Sequence, residues 1–469
     1  MKSDSENKQA PPTTEVPPQY QTRQAASATS AHVSVSYKNP IIDVTKNTNI
    51  KTTDQQNHKN KKNREILLAK QTMGLFVKNP LLDTKLVKPQ LAPVKRLLLG
   101  PGPQNAHPRV HAAMALQQVG HLDADFMRIV EDIKHMLRYM WQTQNLFTVP
   151  VSGTGCAAWE AGVANCTEFG DTHLICVNGY FGERAVDMHG RYTDKIERID
   201  KPYGEVFTVE EVAAGLEKYK PQLLWICHAE TSTGTLQPNV GEIGELCRKH
   251  DCLLMLDTVT SICGVPIHLD DWKVDICYAG GQKCMGCPPG IAPLTLGERA
   301  LKKLDSRKDK VKNWYLDMSM IKKYMVVEGN APRVYHHTAP ITMAYAMREA
   351  LTLVAEEGLE NSHARHLANA QYFWAELKKI GCEPYVDEKI RLPSLTTIKI
   401  PDGCGDGMKV IALMRDRFDI EIGAALGSLK GKCWRIGLMG YNSNKMNVKT
   451  VTAALAECIE AVKNPSSSL

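Results

Sequence analysis

From Arg96 onward, apolar runs of strand length alternate with amphipathic stretches of helix length. That alternation restricts the chain to strand–helix–strand units built around a mostly parallel sheet. Seven runs read as its strands, at residues 147–151, 173–177, 195–199, 223–228, 253–257, 276–279 and 292–296. Between and before them lie helical stretches at 126–141, 208–220 and 239–250. In the first of these, Phe126, Ile129, Val130, Ile133, Leu137 and Met140 recur at the spacing that puts them on one buried face. After about residue 345 the texture changes to two long helical stretches, 344–355 and 364–379, followed by short β-rich runs at 395–400, 420–422 and 433–438. The expected fold class is therefore α/β: a large domain over 96–345 with a mostly parallel seven-stranded sheet, and a smaller α+β domain over 346–465. No repeat with a period of 20 to 50 residues is visible.

Residues 1–90 are of another kind, rich in Lys, Asn, Gln, Thr, Ser and Pro, and read as a disordered basic extension. The formal charge of +6 is concentrated there. Residues 1–95 carry 15 Lys and Arg against 7 Asp and Glu, whereas 96–469 carry 42 against 44. A nearly neutral body gives no reason to expect a nucleic-acid partner. Nor is there a run of about 18 uncharged apolar residues, so no membrane-spanning helix is expected. All 14 cysteines fall between Cys156 and Cys458, many inside apolar runs, and read as buried thiols rather than a disulfide framework.

Three features stand at the carboxyl ends of expected strands, where open α/β sheets bind ligands. In the first, Val151-Ser-Gly-Thr-Gly-Cys-Ala157, a strand enters a glycine-rich turn and then a helix. Converging amides and a helix N-terminus at Thr154, Gly155 and Cys156 suit a phosphate, although an ordinary strand-to-helix turn would look similar. The second is Asp257, which ends the apolar run Cys252-Leu-Leu-Met-Leu-Asp257. A carboxylate there is either a cap or the partner of a cation, for instance a protonated pyridine nitrogen. The third is Gly280-Gly-Gln-Lys283, where a lysine cramped among small residues loses solvation and basicity, as imine formation and proton transfer require.

Taken together with Leu98-Leu-Gly-Pro-Gly-Pro103 and Tyr335-His-His-Thr338, these motifs resemble the alanine-glyoxylate/serine-pyruvate aminotransferases. Those enzymes are class V members of the fold type I pyridoxal-phosphate enzymes. The resemblance covers about residues 86–461 and leaves the N-terminal extension out. It implies pyridoxal 5'-phosphate as cofactor, with Lys283 as the catalytic lysine that joins it and shuttles the proton. Asp257 is implied at the pyridine nitrogen, Thr154, Gly155, Cys156 and Gln282 at the phosphate, and Thr231 near the phenolate oxygen. Tyr335 and Thr338 would reach the phosphate of the neighbouring subunit in a homodimer. Arg435 is implied at the substrate carboxylate, a role its planar guanidinium suits in its own right.

The sequence departs from this family at three places. Phe181 stands where the family usually has a tryptophan over the cofactor ring, offering less stacking area and no N–H donor. Cys156 stands where the family often has His or another small polar residue. Gly120 and His121 fall in the stretch that matches the substrate-gating loop, where a histidine either bonds the substrate carboxylate or packs. The expected reaction is amino transfer from alanine or serine to glyoxylate, with 3-hydroxykynurenine or kynurenine-type donors as the alternative.

A cysteine desulfurase shares the fold, and a binding protein with a basic tail is the rival outside enzymes. No metal site is expected: Cys284-x-x-Cys287 lacks a second close pair, and His336-His337 would point to opposite sides of an extended segment. The terminal Ser467-Ser-Leu469 resembles a Ser-Lys-Leu peroxisomal address without its basic residue. Peroxisomal localisation is the expectation, with mitochondrial or cytoplasmic as alternatives.

Overall fold

A computed structural model of the chain describes residues 60–68, 93–327 and 332–465. The chain divides into two units, Met1–Ala92 and Pro93–Leu469. In the first, residues 60–68 form a solvent-exposed helix, α1, where disorder was expected over all of 1–90. Its Lys, Arg, Glu and Leu residues have good intrinsic helix propensity, which the composition of the surrounding segment hides. The other residues of 1–90, and Ser467-Ser-Leu469, lie outside the described residues.

The second unit opens with a two-residue strand β1 (Leu97–Leu98) and helices α2 (Pro108–Met114) and α3 (Ala124–Trp141). Asp123 starts α3 by accepting a hydrogen bond from the Asp125 N–H at 2.8 Å. The helix buries Phe126, Val130, Ile133, Leu137 and Met140, and Gln142 ends it in the left-handed conformation. There follow β2 (Phe147–Ser152), α4 (Gly155–Cys166), β3 (Thr172–Val177), α5 (Tyr180–His189), β4 (Lys195–Asp200) and α6 (Val209–Tyr219). Thr208 and Glu211 close a reciprocal capping box at the start of α6. Next come β5 (Leu223–Cys227), a hairpin of β6 (Ala229–Glu230) and β7 (Thr235–Leu236), α7 (Val240–Lys249), β8 (Leu253–Asp257), β9 (Ile276–Tyr278) and β10 (Ile291–Leu296). Beyond β10 lie α8 (Glu298–Asp305), α9 (Met318–Met325) and the long helices α10 (Ile341–Glu357) and α11 (Leu359–Lys379).

The seven strands expected from the sequence form one sheet in the order β2-β10-β9-β8-β5-β3-β4. Only β10 runs against its neighbours. The central strands β5 and β8 are buried throughout, as their unbroken apolar sequences require of strands covered on both faces. The edge strand β4 (Lys195–Asp200) carries charged residues that discourage further pairing.

The C-terminal part adds β11 (Leu395–Lys399), α12 (Met408–Phe418), β12 (Ile420–Glu421), β13 (Gly423–Ala424), β14 (Cys433–Gly437) and α13 (Lys445–Lys463). Strands β11, β14 and β13 form a three-stranded antiparallel sheet over a second apolar core that includes Phe373, Leu377, Trp434, Val451 and Leu455. The run at 420–422 does not join that sheet through β12, which pairs in parallel with β1 instead. Leu99 lies in the second core, so the chain just after Arg96 packs with the C-terminal elements.

Candidate active site

Five ends of the large sheet's parallel strands face one cavity of about 230 Å³. Thr154, Gly155, Cys156, Phe181, Thr231, Asp257, Gln282 and Lys283 all line it. At one end, β2 turns through Gly153 (φ +148°) into α4. The first N–H groups of α4 have no side-chain cap, because Thr154 stands at the N-cap without making that bond. The Gln282 Oε1 atom and the Trp159 indole N–H are buried nearby without a partner among the described residues. Exposed donors of a helix start beside an unpaired indole N–H suit a phosphate, whereas the Gln282 oxygen calls for a donor. A group binding here would satisfy atoms that are otherwise costly to bury.

Asp257, at the end of β8, is 4% exposed. Its Oδ1 accepts the Val259 N–H at 2.8 Å and its Oδ2 the Tyr278 hydroxyl at 2.6 Å. Tyr278 in turn accepts the Trp225 indole N–H at 3.1 Å. The Trp159 ring stacks 5.4 Å from both Trp225 and Tyr278. Burial pushes the Asp257 pKa up to about 6, against the opposing pull of these donors and of the Lys283 charge. At neutral pH the group is a carboxylate in an apolar wall, able to hold a protonated ring nitrogen.

Lys283 follows β9 through Gly280-Gly-Gln and is 8% exposed. Its ammonium donates to the Pro101 carbonyl. Burial, then the Arg435 charge, lower its pKa to about 8. A substantial neutral fraction is therefore present near physiological pH, as a nucleophilic amine or proton acceptor requires. The loop facing it must be glycine: Gly102 has φ +94°, and a Cβ there would lie 2.6 Å from the lysine nitrogen. Arg435, on β14, donates from Nε and Nη2 to the Ala424 carbonyl at 3.0 and 2.9 Å, and from Nη1 to the Thr231 carbonyl at 3.3 Å. Burial lowers its pKa to about 10, so it stays charged. No carboxylate is bonded to it among the described residues, which leaves its charge open to a substrate acid group.

The remaining expected residues lie outside the cavity lining. Tyr335 and Thr338 are exposed on the segment before α10, and Gly120 is exposed. The His121 ring packs 5.4 Å from that of Tyr335, with its Nε2 buried and unpartnered among the described residues. His336 and His337 do not point apart as expected. Their Nδ1 atoms are 2.8 Å from each other, and Trp314 stacks on His336 at 4.4 Å. The thiols of Cys284 and Cys287 make separate bonds, to the Thr260 and Pro288 carbonyls. Burial raises both thiols, to about 11 for Cys284 and further for Cys287, so neither is an activated thiolate.

Sequence reasoning missed Tyr278, Trp159, Arg184 and Thr260 as part of the site. The Thr260 hydroxyl is 2.5 Å from that of Thr231, and the Arg184 guanidinium lies 5.4 Å from the centre of the Phe181 ring. The register of β8 against β9 sets Asp257 beside Tyr278, and the only trace of this in the sequence is that each lies at or near the end of an expected strand. For Arg184 the signal was its helical spacing from Phe181.

The sequence profile of the family described as aminotransferase class-V matches residues 107–445. The alanine–glyoxylate aminotransferase of Callithrix jacchus is 42% identical over 376 residues, covering 80% of this chain and 90% of that protein. The crystal structure of the alanine–glyoxylate aminotransferase of Nostoc sp. superposes with a TM-score of 0.78 at 51% identity, covering 81% of this chain and 98% of that one. That of the ureidoglycine–glyoxylate aminotransferase of Bacillus subtilis gives 0.76 at 36% identity, covering 79% and 94%.

Proposed function

The chain belongs to the class-V aminotransferase family, and from that premise we propose that it moves the amino group of alanine, or of serine, to glyoxylate. The products are pyruvate or hydroxypyruvate, and glycine. The observation that carries this reading is the meeting of Lys283, Asp257, Thr231 and the uncapped start of α4 around one cavity, with Arg435 bonded to its wall.

Pyridoxal 5'-phosphate fits this cavity, and when bound it supplies an electron-sink ring that stabilises negative charge at the substrate Cα. Its phosphate would take the free N–H groups at Thr154, Gly155 and Cys156 together with Gln282. Asp257 would keep the ring nitrogen protonated, and the Thr231 hydroxyl would lie near the phenolate oxygen. Phe181 would cover a ring face. Arg435 would bind the carboxylate that every amino-acid donor and oxo-acid acceptor offers, fixing the orientation of Cα. The Lys283 amine, made less basic by burial and by the Arg435 charge, would take and return the Cα proton. Tyr335 and Thr338 are exposed, as residues that complete a neighbouring subunit's phosphate site in a homodimer would be. A peroxisomal address at Ser467-Ser-Leu469 completes the proposal, tested by whether deleting those residues changes where a tagged chain accumulates.

An absorbance band at about 410–430 nm in the purified protein is the expected cofactor signature. Alanine or serine should shift it and glyoxylate restore it, and Lys283→Ala should abolish turnover in a folded protein. A shift with 3-hydroxykynurenine alone would replace the donor, and no band after adding cofactor would overturn the reading.

A further inference from the structure

Glu230 is a buried acid in this site to which the reaction as described gives no part. It ends β6, directly before Thr231, and is 1% exposed. Its Oε1 accepts the Ser232 N–H at 2.9 Å and the Ser232 hydroxyl at 2.6 Å, while Oε2 is buried without a partner among the described residues. The Ser232 oxygen accepts the Tyr180 N–H, the first of α5, at 2.8 Å. The Phe181 N–H, the second, also favours the ionised carboxyl.

Helix α5 has Gly179 at its N-cap, which brings no side chain to the exposed N–H groups. A Cβ at Gly179 would overlap the Glu230 carboxyl group. The glycine is thus what lets a carboxylate from another element lie against the positive end of the helix. Capping of this kind is normally done by the N-cap residue itself and is strongest when the acceptor is charged. The first turn of α5 carries Phe181, and Arg184 follows at the start of the second; both are on the cavity wall.

We propose that Glu230, through Ser232, is a positioning residue that caps α5 from outside the helix and so fixes Phe181 against the cofactor face. This rests on reading the cavity as the cofactor site. The charged and titratable groups that face Glu230 are Asp257 at the end of β8, Arg435 on β14, Cys227 at the end of β5 and Tyr203 in the loop after β4. Burial, with the Asp257 charge, raises the Glu230 pKa to about 7, so the cap weakens as pH falls through that value. Glutamine at this position would keep an acceptor oxygen for Ser232 but remove the charge and its titration.

The test is binding of pyridoxal phosphate to the cofactor-free full chain, followed by quenching of tryptophan fluorescence, since Trp159 lines the cavity. Absence of binding by the unaltered chain would refute the cofactor-site reading itself. Given binding, Glu230→Ala should weaken it roughly fivefold, the size of a lost helix cap, and Ser232→Ala by a similar factor. Glu230→Gln should bind with less loss and without the inflection near pH 7, while inflections from Asp257 and Lys283 persist. In a Phe181→Ala background the Glu230 substitutions should have little further effect, because the residue acts through that ring. Fully additive losses would overturn the proposal, as would unchanged affinity and pH profile in Glu230→Gln. If Glu230→Ala fails to fold, the Glu230→Gln and Ser232→Ala arms decide it.

Discussion

The Tyr278→Phe substitution removes one oxygen and tests how the site keeps a carboxylate ionised inside an apolar wall. The hydroxyl donates to Asp257 Oδ2 at 2.6 Å and accepts the Trp225 indole N–H at 3.1 Å, and the ring is fully buried. Its loss forfeits a hydrogen bond to a charged acceptor, about 1.5–3 kcal/mol, and leaves a buried indole N–H unpaired, about 1–3 kcal/mol. Partial relaxation makes a total on the order of 3 kcal/mol reasonable for the cofactor-free protein. Tyr278 also holds the Asp257 pKa down, so without it that pKa climbs above about 6 and the carboxylate is less able to keep a ring nitrogen protonated. Urea unfolding should therefore show a lower midpoint with an unchanged slope, and the affinity for pyridoxal phosphate at pH 7 should fall. Asp257→Asn in the Tyr278→Phe background should cost less than in the unaltered chain, since the pair is coupled. A wild-type midpoint together with wild-type cofactor affinity would refute the account of Tyr278 as the support of Asp257.

Gly102→Ala should lower kcat by roughly 100-fold, the order expected when a reacting group is displaced by about 1 Å, because its Cβ would lie 2.6 Å from Lys283 Nζ. Circular dichroism should show retained secondary structure, and near-normal kcat would contradict the Gly102–Lys283 packing. Arg435→Ala should raise KM for both amino donor and oxo acid by roughly 10- to 100-fold, the value of hydrogen bonds to a charged group, and an unchanged KM for both would remove its role. Acid should destabilise the fold. Burial lowers the pKa of His173, His189, His228, His337, His363 and His366 below the ordinary 6.5, so their contribution is complete above pH 6.5 and lost as pH falls toward 4. Asp257, Glu230 and Asp275, raised by burial, act the other way but are fewer. Urea midpoints should fall steadily from pH 7 to pH 4.5, and a flat or rising series would contradict the sign.

The large sheet was legible because its strands are apolar runs bounded by turns, and that pattern survives in sequence at close to the observed ends. The pairing of β1 with β12 was not legible, since two-residue strands more than 300 positions apart carry no periodicity. Lys283, Asp257 and the turn at Thr154 were legible as motifs because each lies in one short stretch. Tyr278 stood in an expected strand, but its bond to Asp257 depends on the register of β8 with β9. Glu230 stands next to Thr231 in the sequence, yet nothing local shows that its carboxyl faces the start of α5 rather than solvent.

What the chain pattern leaves out most completely is the protonation of the site. Lys283, Asp257, Glu230 and Arg435 carry pKa values of about 8, 6, 7 and 10, each moved toward neutrality chiefly by burial. Two of these groups are cations and two are anions, and burial therefore lowers the former and raises the latter. The consequence is that Lys283, Asp257 and Glu230 all change charge within about two pH units, inside a single apolar enclosure. A bound substrate carboxylate at Arg435 would screen the cation that keeps Lys283 less basic. It would thereby raise the lysine's affinity for a proton at the stage where, on the proposed reading, that lysine takes one from Cα. On the same reading Arg435 would orient the substrate and would also add to the effect of burial in lowering the basicity of Lys283.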